Sequence, residues 1–580
     1  MDMDTSKKNH KKVNLTSSNL SEEKLVELHK VLPEAFSENK IDWDKLRAVL
    51  GSAIDERIEK FNFSWAGKSN AIKNVLIPSK ATLRPVKDES VKFDESENLF
   101  IEGDNLEVLK LLQKAYFEQV KMIYIDPPYN TGGDFVYHDD FSAPLSNYLK
   151  QTGQKDGNGA SLTTNRETSG RYHSDWISMM YPRLKLAWNL LRDDGIIFVS
   201  IDDNEAHHLR MIMDEVFGEE NFRNAIFVSR VKKNIQETDT VKALNQGVGY
   251  ILCYAKSDAT LVVPPKKYQK KEERWHAFDA PGVRPTMEYE LFGQKPPTGR
   301  HWMYEKERAM TMIDAGDLRL SPNTSKPQYR LPASEETNLD TNWTDVIESD
   351  STWIKNGGKN PKLIQRMLQV VNDKNALVLD FFAGSGSTAE AVLEQNYADT
   401  GSRKFILVQL PEVVDVKSPD YKSGHNTVAD IAKDRLKQIE ATFKTFKLAE
   451  SNYPENAFEF DPTKSEEENK KTFESYLAKA KQAKLFDDTK AVDMVYENIV
   501  KEGLSLNSKV NETKLGKNDV YVVSDGEKRL LVCLDKKIDD KTVSELTGKN
   551  YKGKVFICLD SALDDSAKAN LGLNVELKTI

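Results

Sequence analysis

Length, composition and charge exclude several classes of protein. The chain has 580 residues and a mass of 65.9 kDa, enough for three or four domains of ordinary size. Its composition, 39% hydrophobic and 30% charged, supports a large buried core, so a small scaffold held together by disulfides or metal ions is excluded. No apolar run approaches the ~20 residues that cross a bilayer, and no apolar segment follows the charges of the N-terminus. We therefore expect a folded cytoplasmic protein without membrane insertion.

The cysteines and histidines give no sign of a disulfide or a metal site. Cys253, Cys533 and Cys558 stand in apolar runs and lack the C-x-x-C spacing, which predicts reduced residues of the core. His207 and His208 are adjacent and should point to different sides of a helix, and none of the nine histidines has the spacing of metal ligands. We expect no bound metal.

The acidic net charge of -9 is distributed unevenly along the chain. Residues 221–330 hold 19 lysines and arginines against 12 aspartates and glutamates, together with twelve aromatic residues. These aromatics include Trp275, Tyr289, Phe292, Trp302 and Tyr304. Cations interleaved with aromatics suit phosphates and unstacked bases, although an ordinary basic domain explains the same composition. The charge pattern alone leaves both interpretations open.

Strands and amphipathic helices alternate along two parts of the chain. The first part contains the helix DNLEVLKLLQKAY, the buried strand VKMIYID, the helix WISMMYPRLKLAWNLL and the strand IIFVSI. The second part contains the helix PKLIQRMLQVV and the strands ALVLDFF and KFILVQL. This rhythm predicts an α/β fold with a doubly wound, mostly parallel sheet. Short strands and turns rich in Pro and Gly between the two parts predict an inserted domain.

The first motif with chemical potential is DPPYN, residues 126–130, directly after the buried strand MIYI. In an open α/β sheet, ligands bind at the carboxyl ends of the strands, where this segment lies. Two prolines give a stiff turn whose carbonyls point outward. The Asp126 carboxylate and the Pro127 carbonyl are therefore expected to form two hydrogen-bond acceptors at a fixed distance.

Two such acceptors suit the two N–H donors of an exocyclic amine, the N6 of adenine or the N4 of cytosine. They would stabilise the positive charge that the nitrogen gains when it attacks an electrophilic methyl group. Tyr129 offers a flat face for stacking the base, which has to be flipped out of the duplex at a cost of roughly a few kcal/mol. An Asp-Pro turn without a function is the alternative interpretation.

The second motif is DFFAGSGST, residues 380–388, between the strand ALVL and a helix. Gly384, Gly386 and Ala389 also fit the dinucleotide fingerprint, so this motif alone permits NAD or another nucleotide. No lysine follows the glycines, which excludes a P-loop. We expect the glycines to let the backbone approach a cofactor, with Phe382 along its adenine or methionine portion and Asp380 facing its ammonium group.

Together, DPPYNTGGDFVYHDDF and DFFAGSGSTAEAVLEQN resemble the amino-methyltransferases that use S-adenosylmethionine, in which a D-P-P-Y element is combined with an F-x-G-x-G loop. Their order, with an insertion between them, is similar to the beta-permuted class of DNA methyltransferases. The resemblance covers about residues 90 to 450. FIEGDNLEVLKLL, RPTMEYELFGQKPPTGRHW and FILVQLPE further resemble the modification subunit of Type III restriction-modification systems.

The resemblance implies a function and a set of partners. Family members of this kind methylate adenine N6 in double-stranded DNA, act as homodimers and associate with a separate ATP-dependent restriction subunit. Cytosine N4 uses the same geometry and stays an alternative, as does a methyltransferase without a nuclease partner. From other classes, a catalytically idle DNA-binding subunit and an NAD-dependent oxidoreductase also stay open, although the latter leaves the proline tetrad unexplained.

The resemblance also assigns residues to the site. Asp126, Pro127, Pro128 and Tyr129 are expected to bind the target amine and to touch the cofactor methyl group. Glu412 is expected to reach the cofactor ribose, although the preceding strand ends in Gln409 and Leu410 rather than in an acid, and Asp104 to contact the cofactor adenine, although a helix N-cap explains it without a function. The rest of the expected cofactor pocket is Asp380, Phe382, Gly384, Ser385 and Gly386. The candidate contacts to phosphate or guanine are Arg230, Lys232, Lys233, Arg284 and Arg300.

Six segments summarise the predicted organisation. A loop rich in Gly, Ser, Thr and Asn, residues 151–171, is expected to be a mobile lid within the catalytic domain. The segments are a helical N-terminal appendage with about 20 disordered residues at its start (1–90), the first part of the catalytic domain (91–223), an inserted target recognition domain (224–350), the second part of the catalytic domain (351–460), a linker (461–490) and a small α/β domain (491–580).

Overall fold

Buried apolar runs form strands and amphipathic runs form helices, as the sequence predicts. The computed structural model describes residues 10–13, 16–37, 40–50, 62–131, 172–230, 244, 246–350, 358–453, 465, 467–471, 473–474 and 491–580. The strands are β1 (His10–Lys12), β2 (Phe36–Ser37), β3 (Lys40–Ile41), β4 (Ala81–Pro85), β5 (Leu99–Glu102), β6 (Val120–Ile125), β7 (Leu191–Ile201), β8 (Phe222–Ser229), β9 (Val248–Ala255), β10 (Lys266–Lys271), β11 (Arg274–Ala277), β12 (Asp279–Pro281), β13 (Arg300–Trp302), β14 (Leu318–Leu320), β15 (Pro327–Leu331), β16 (Ser334–Asn338), β17 (Asn342–Ile347), β18 (Ser349–Asp350), β19 (Gly358–Lys359), β20 (Leu377–Asp380), β21 (Lys404–Gln409), β22 (Lys444–Glu450), β23 (Lys509–Leu515), β24 (Asn518–Asp525), β25 (Lys528–Cys533), β26 (Val555–Cys558) and β27 (Glu576–Thr579). The helices are α1 (Leu20–Val31), α2 (Trp43–Leu50), α3 (Lys68–Leu76), α4 (Asn105–Tyr116), α5 (Tyr172–Leu190), α6 (Ala206–Phe217), α7 (Lys306–Asp314), α8 (Pro361–Val371), α9 (Ser387–Asp399), α10 (Pro419–Lys422), α11 (Val428–Gln438), α12 (Ala491–Glu502), α13 (Asp540–Leu546) and α14 (Asp565–Gly572).

The main sheet of the described chain has ten strands in the order β17-β8-β9-β7-β6-β20-β21-β5-β22-β4. The six strands from β7 to β22 are parallel to their neighbours, whereas β9 and β4 run antiparallel at the two ends of this parallel block. Because β6 and β20 are parallel neighbours, their carboxyl ends lie beside each other. The predicted fold class, a doubly wound and mostly parallel sheet, is confirmed.

Helices cover both faces of this sheet. Alternate strand residues point to opposite faces, so Ile123 and Ile125 of β6 belong to one apolar layer with α4, α5 and α6. Met122 and Tyr124 of the same strand point the other way and are also buried, on the side of α8 and α9. A strand buried on both faces explains the continuous apolar run in this part of the sequence.

Residues Val263–Asp340 form a second compact unit, whereas residues before and after them belong to the first. Within this second unit, short antiparallel strands form three small sheets, β10-β16, β11-β15-β14 and β12-β13. Its core is small and consists of Phe278, Leu291, Trp302, Ala309 and Leu318. The unit holds 13 lysines and arginines against 12 aspartates and glutamates, because Glu335, Glu336 and Asp340 offset most of the cation surplus that it contributes to residues 221–330.

The predicted insertion, residues 224–350, is wider than the second unit. Strands β8 and β9 precede the unit and β17 follows it, yet all three belong to the main sheet, where β8 pairs antiparallel with β9 and parallel with β17. The sequence did not indicate this because short strands at the antiparallel end of a sheet have the same composition as strands of a small inserted domain.

The predicted boundaries at the two ends of the chain were also wrong. Strand β4, placed in the appendage, pairs with β22 at the edge of the main sheet, and residues 10–12, predicted to be disordered, form strand β1 beside β27. The C-terminal segment contributes β23 to β27 to a six-stranded sheet that β1 completes, and it contacts the catalytic part through α12, where Lys114 Nζ donates to the Lys501 carbonyl at 2.7 Å. It is therefore part of the first unit. The predicted linker 461–490 lies mostly outside the described residues.

Two smaller predictions concern membranes and cysteines. Among the helices that the structure describes, none is long and apolar enough to span a bilayer. Cys253, Cys533 and Cys558 are all free and buried, as predicted.

The core of the parallel block provides a test of stability. Phe405 in β21 is fully buried, so Phe405→Ala should lower the free energy of unfolding by about 3–5 kcal/mol through lost burial and a cavity. Tyr397 is 92% exposed, so Tyr397→Ala should change it by less than about 0.5 kcal/mol. Urea titration of both variants measures the difference, and equal midpoints would contradict the assigned core.

Candidate active site

The DPPYN motif and the glycine-rich loop lie at one edge of the sheet. Strand β6 ends immediately before Asp126, and β20 ends at Asp380, where the loop begins. The two strands are parallel neighbours, with Val378 opposite Met122 and Leu379 opposite Ile123. The two motifs are therefore next to each other, although the second unit and several elements of the first separate them in the chain.

The proline turn is held rigidly by its neighbours. The Trp176 indole donates to the Pro128 carbonyl at 2.8 Å, whereas no hydrogen bond to the Pro127 carbonyl is found among the described residues. Asn130 has a left-handed backbone with φ of 59°, is buried, and donates through Nδ2 to Glu205 at 2.5 Å. Of the two proline carbonyls, that of Pro127 thus stays available as an acceptor, whereas that of Pro128 is already engaged.

Asp126 and three other polar side chains form a cluster of short contacts. Tyr129 Oη is 2.9 Å from Asp126 Oδ1 and 2.7 Å from Glu348 Oε1. Lys359 Nζ lies 3.1 Å from Asp126 Oδ1 and 2.5 Å from both Glu348 Oε1 and Tyr129 Oη. The cluster of Asp126, Tyr129, Glu348 and Lys359 is named the Asp126 cluster below.

Burial and charge act in opposite directions on the Asp126 cluster. Burial raises the pKa of Asp126, Lys359 lowers it, and the net effect is a pKa above the ordinary value of an aspartate. Burial also opposes the ionised form of Glu348, but the Lys359 ammonium outweighs it and lowers the pKa of Glu348. The two carboxylates in turn outweigh the burial of Lys359 and raise its pKa. Burial and the nearby acids raise the pKa of Tyr129 well above its ordinary value, so its hydroxyl stays protonated.

The glycine-rich loop is shaped by a buried acid at the end of β20. Asp380 accepts hydrogen bonds from the Phe382 amide at 3.0 Å and from the Thr388 hydroxyl at 2.5 Å, and burial raises its pKa to about 7. Both carboxylate oxygens therefore hold the loop itself. The sequence predicted only a contact of Asp380 to the cofactor ammonium group and not this structural role. Gln409, which appeared as a departure from the expected acid, accepts from the Gly384 amide at 2.7 Å.

Arg435 fixes the beginning of α9 from the other side. Its Nη1 donates to Ser385 and Ser387 at 2.8 and 2.9 Å, and its Nε donates to Glu390 at 2.8 Å. The arginine is fully buried. Ser385 thus has a structural partner, and nothing in the local sequence of α11 indicated that Arg435 reaches the loop.

Glu412 and Asp104, the two acids expected to contact the cofactor ribose and adenine, lie near the same edge of the sheet. Glu412 follows β21, the neighbour of β20, and burial raises its pKa to about 6. Asp104 follows β5, caps α4 by accepting from the Glu107 amide at 3.0 Å, and lies 3.6 Å from the buried Arg183. The cap interpretation of Asp104 is confirmed, and a contact to a cofactor stays a prediction.

Of the predicted DNA contacts, Arg230 is the one in the first unit whose position is described. Its Nη1 donates to Gln246 at 2.5 Å and its Nε lies 3.9 Å from Glu348, so it borders the Asp126 cluster. Lys232 and Lys233 lie outside the described residues. In the second unit, Arg284 is exposed and Arg300 forms an ion pair with Asp279.

The aromatics of the second unit mainly form its core. Trp302 is 2% exposed and donates from its indole to the Tyr289 carbonyl at 2.7 Å, and Tyr304 packs against the same core. Of the two interpretations left open for these aromatics, their packing therefore favours an ordinary domain core. Their interleaving with cations reflects alternation between the core and the surface of a small domain.

The sequence also missed a group of residues that flanks Asn130. His173 and His208 each contact Glu205 at 2.7 Å through Nδ1, and Glu205 is fully buried. These three side chains are close enough to share an ion. Each already has a hydrogen-bonded partner, and Glu205 serves Asn130 as well, so the group acts as a support for the proline turn. The loop 151–171, predicted to be a lid, lies outside the described residues.

Comparison with known proteins is consistent with this geometry. Residues 120–410 match the family described as DNA methylase. The StyLTI Mod subunit of a Type III restriction-modification enzyme from Salmonella typhimurium is 33% identical over 72% of this chain and 71% of its own length. The EcoPI Mod subunit from Escherichia phage P1 is 31% identical over 70% of this chain and 72% of its own length. The chain belongs to the family of DNA methylases that contains the Type III Mod subunits.

Solved structures that match part of the chain include PvuII DNA methyltransferase, described as cytosine-N4-specific, with 13% identity, a TM-score of 0.31, and coverage of 60% of this chain and 95% of that chain. The resemblance inferred from the two motifs is confirmed by the family match. The chain is a DNA methyltransferase, and S-adenosylmethionine is its methyl donor.

The residues of the loop fit this cofactor. Gly384 has a left-handed φ of 53°, and a Cβ added there would meet nothing nearer than the Phe382 carbonyl oxygen at 4.0 Å. The backbone is thus open on this side to a ligand. Glu412 offers a half-buried acceptor suited to hydroxyl donors such as those of a ribose.

A methyl group at Gly384 tests the position of the cofactor. Gly384→Ala should weaken S-adenosylmethionine binding about tenfold or more, because the new Cβ enters the open space, a loss of about 1.4 kcal/mol or more. Gly526→Ala is the matched control, since Gly526 has a φ of 57° and equally open surroundings in the hairpin between β24 and β25. Calorimetric titration should show the loss in the first variant alone, and equal affinities would contradict the assigned pocket.

Proposed function

We propose that this protein transfers a methyl group from S-adenosylmethionine to N6 of adenine in double-stranded DNA, as the modification subunit of a Type III restriction-modification system. The observation that carries the proposal is the parallel pairing of β6 and β20, which brings an amine-binding turn and a cofactor loop to one edge of the sheet. The similarity to Mod subunits supports adenine as the base and the Type III system as the context.

The acceptors of the proline turn carry the chemistry. The Asp126 carboxylate and the free Pro127 carbonyl accept the two N–H donors of the target amine and hold its nitrogen lone pair towards the methyl group. As the N–C bond forms, the C–S bond breaks, its electron pair stays on sulfur, and the nitrogen acquires a positive charge that Asp126 stabilises. The methylated amine then releases one proton to solvent. Pro128 stiffens the turn and Tyr129 stacks on the base, which reaches the pocket by flipping out of the duplex.

The glycine-rich loop and its neighbours hold the cofactor. When bound, S-adenosylmethionine supplies a methyl group activated by a positively charged sulfur. Gly384, Ser385 and Gly386 present backbone to it, and Phe382 packs along it. Asp380 shapes the loop and lies close enough to Asp126 for their charges to interact. Glu412 would accept hydrogen bonds from the ribose hydroxyls, and Asp104 would contact the adenine.

The second unit is proposed to recognise the target sequence. It interrupts the catalytic part in the chain, and its predicted contacts are Arg284 and Arg300. Arg230, Lys232 and Lys233 precede the unit in the chain and are proposed to bind phosphate or guanine.

Partners follow from the relatives that are named as Mod subunits of restriction-modification enzymes. We propose a homodimer that associates with an ATP-dependent restriction subunit. The location proposed for such an enzyme is the cytoplasm, where its DNA substrate is.

The decisive experiment is methylation-aware sequencing of DNA from cells that express the protein. N6-methyladenine at one sequence motif supports the proposal. N4-methylcytosine would instead show that the target is cytosine N4 and not adenine N6. The absence of any new methylation, with the protein folded and bound to DNA, would favour a DNA-binding subunit without activity.

Replacement of Asp126 tests the amine-binding role. Asp126→Ala should reduce the methylation rate by roughly 10²- to 10³-fold, as expected for the loss of a charge-stabilising contact, while S-adenosylmethionine binding is largely retained. Asp258→Ala is the control, because Asp258 is exposed in the turn after β9, at the opposite edge of the sheet. A radiolabelled methyl-transfer assay compares the two, and full activity of Asp126→Ala would refute the role.

The pKa of Glu412 predicts how cofactor binding depends on pH. Because burial raises this pKa to about 6, the carboxylate becomes protonated as the pH falls through 6, and S-adenosylmethionine should then bind more weakly. Glu412→Gln should bind about tenfold more weakly at pH 8, through the loss of charge-assisted hydrogen bonds, and should lack this step. Glu394→Gln, at an exposed acid whose pKa is also raised, is the control. Titrations from pH 5 to 8 give the result, and identical profiles for the wild type and Glu412→Gln would contradict the ribose contact.

A further inference from the structure

The Asp126 cluster contains two charged residues that the proposed mechanism does not use, Glu348 and Lys359. Their side chains are 6% and 11% exposed, and that of Asp126 is 22% exposed. An ammonium group buried between two carboxylates is costly unless its partners and geometry are fixed. The chain fixes the positions of Glu348 and Lys359 through backbone contacts, which indicates that the pair belongs to the active site.

Backbone pairing holds Glu348 and Lys359 in register. The Glu348 amide donates to the Ser229 carbonyl at 2.8 Å, and the Asn360 amide donates to the Glu348 carbonyl at 2.9 Å. Between these two hydrogen bonds, the antiparallel pairing of β18 with β19 places Ser349 opposite Lys359. Gly249 leaves the room that Glu348 needs, because a Cβ there would lie 2.7 Å from Glu348 Oε2.

The Lys359 ammonium group contacts one carboxylate oxygen of Asp126 and does not contact the other. Lys359 Nζ and Tyr129 Oη both contact Oδ1, at 3.1 and 2.9 Å. In the described part of the chain, no hydrogen bond to Oδ2 is found. Oδ2 and the Pro127 carbonyl are therefore two acceptors of the proline turn that remain for a ligand.

We propose that Lys359 is a positioning residue for methyl transfer: anchored by Glu348, its ammonium group keeps Asp126 ionised and holds Oδ1, so that Oδ2 accepts the target amine. The inference rests on the proposed role of Asp126. It assigns opposite effects to the two partners, because Lys359 stabilises the Asp126 carboxylate and Glu348 repels it.

The charges around Asp126 make this distinction measurable. Burial raises the pKa of Asp126, Lys359 opposes this, and the negative charge of Glu348 adds to it. A protonated Asp126 carries no charge to stabilise the amine, so the methylation rate should fall on the acid side of the pH profile. Because the groups are coupled, the acid limb reports an apparent pKa of the cluster. Among the residues that the structure describes, the titratable or charged groups that face Asp126 or its partners are Tyr124, Tyr129, Arg230, Glu348, Lys359 and Asp380.

The test is the pH profile of the single-turnover methylation rate, with DNA and S-adenosylmethionine saturating, from pH 5.5 to 9. Lys359→Met should move the acid limb of the profile to higher pH. At a fixed pH on that limb, the rate should fall about tenfold for each pH unit of displacement. Lys359→Arg, which keeps the positive charge, should leave the limb at its wild-type position. Glu348→Gln should move the limb to lower pH. Lys362→Met, at an exposed lysine in the first turn of α8, should leave the profile unchanged.

Opposite displacements separate positioning from a structural role, which would affect both variants in the same direction. An unmoved limb in Lys359→Met and Glu348→Gln would overturn the inference, as would a faster Lys359→Met enzyme across the whole range, since Lys359 would then obstruct the amine. Affinity for S-adenosylmethionine, measured by calorimetry, should match the wild type in every variant. If Lys359→Met does not fold, Lys359→Arg and Glu348→Gln still give the comparison.

The wild type and Asp126→Ala in the same assay separate this inference from the proposed function. Failure of the wild type to methylate, or full activity of Asp126→Ala, refutes the function itself. An inactive Asp126→Ala together with wild-type profiles for the Lys359 and Glu348 variants refutes only the positioning role.

Discussion

The parallel pairing of β6 with β20 is the constraint on which the active site depends. Each strand contributes little chemistry, because both are apolar and buried on both faces. Their hydrogen bonds, however, fix where each strand ends, and both chemical motifs begin where the strands end. A slip of the register by one residue would turn every side chain of a strand to the other face and separate Asp126 from the loop that follows Asp380. The position of the reacting groups is thus set by backbone pairing.

Around this edge, buried polar groups are arranged in pairs and networks. The Asp126 cluster, the Arg435 contacts to Ser385 and Glu390, and the support of Asn130 by Glu205 each place a charge in a poorly solvated environment with its partners supplied. Burying such groups costs free energy that well-packed apolar residues would not cost. That the chain retains them next to the two motifs is expected of a site where fixed dipoles and charges have to be ready before the substrate arrives.

The sequence predicted the parts of the structure that depend on local pattern. The buried strands before residues 126 and 380 are continuous apolar runs, which predict a parallel sheet. Because parallel strands end at one edge of a sheet, both motifs were expected at that edge. The sequence did not predict that Lys359 and Glu348 reach Asp126, because their positions depend on the path of β17 to β19 after the second unit. The sequence also left open whether Trp302 and Tyr304 belong to a core or to a nucleic-acid surface, because a core aromatic and a surface aromatic look alike in sequence. Strands β8 and β9 were assigned to the insertion because their composition does not reveal which sheet they join.

The order of the two motifs along the chain also bears on how the protein is made. During synthesis, β6 leaves the ribosome long before β20, and β7 becomes available as its neighbour on one side only. The other side of β6 stays an open edge, a feature that invites incorrect pairing, until β20 emerges. The second unit is continuous in sequence from Val263 to Asp340 and has its own core, so it is able to fold during this interval. Completion of the methyltransferase site is therefore a late, long-range event in the life of each new chain.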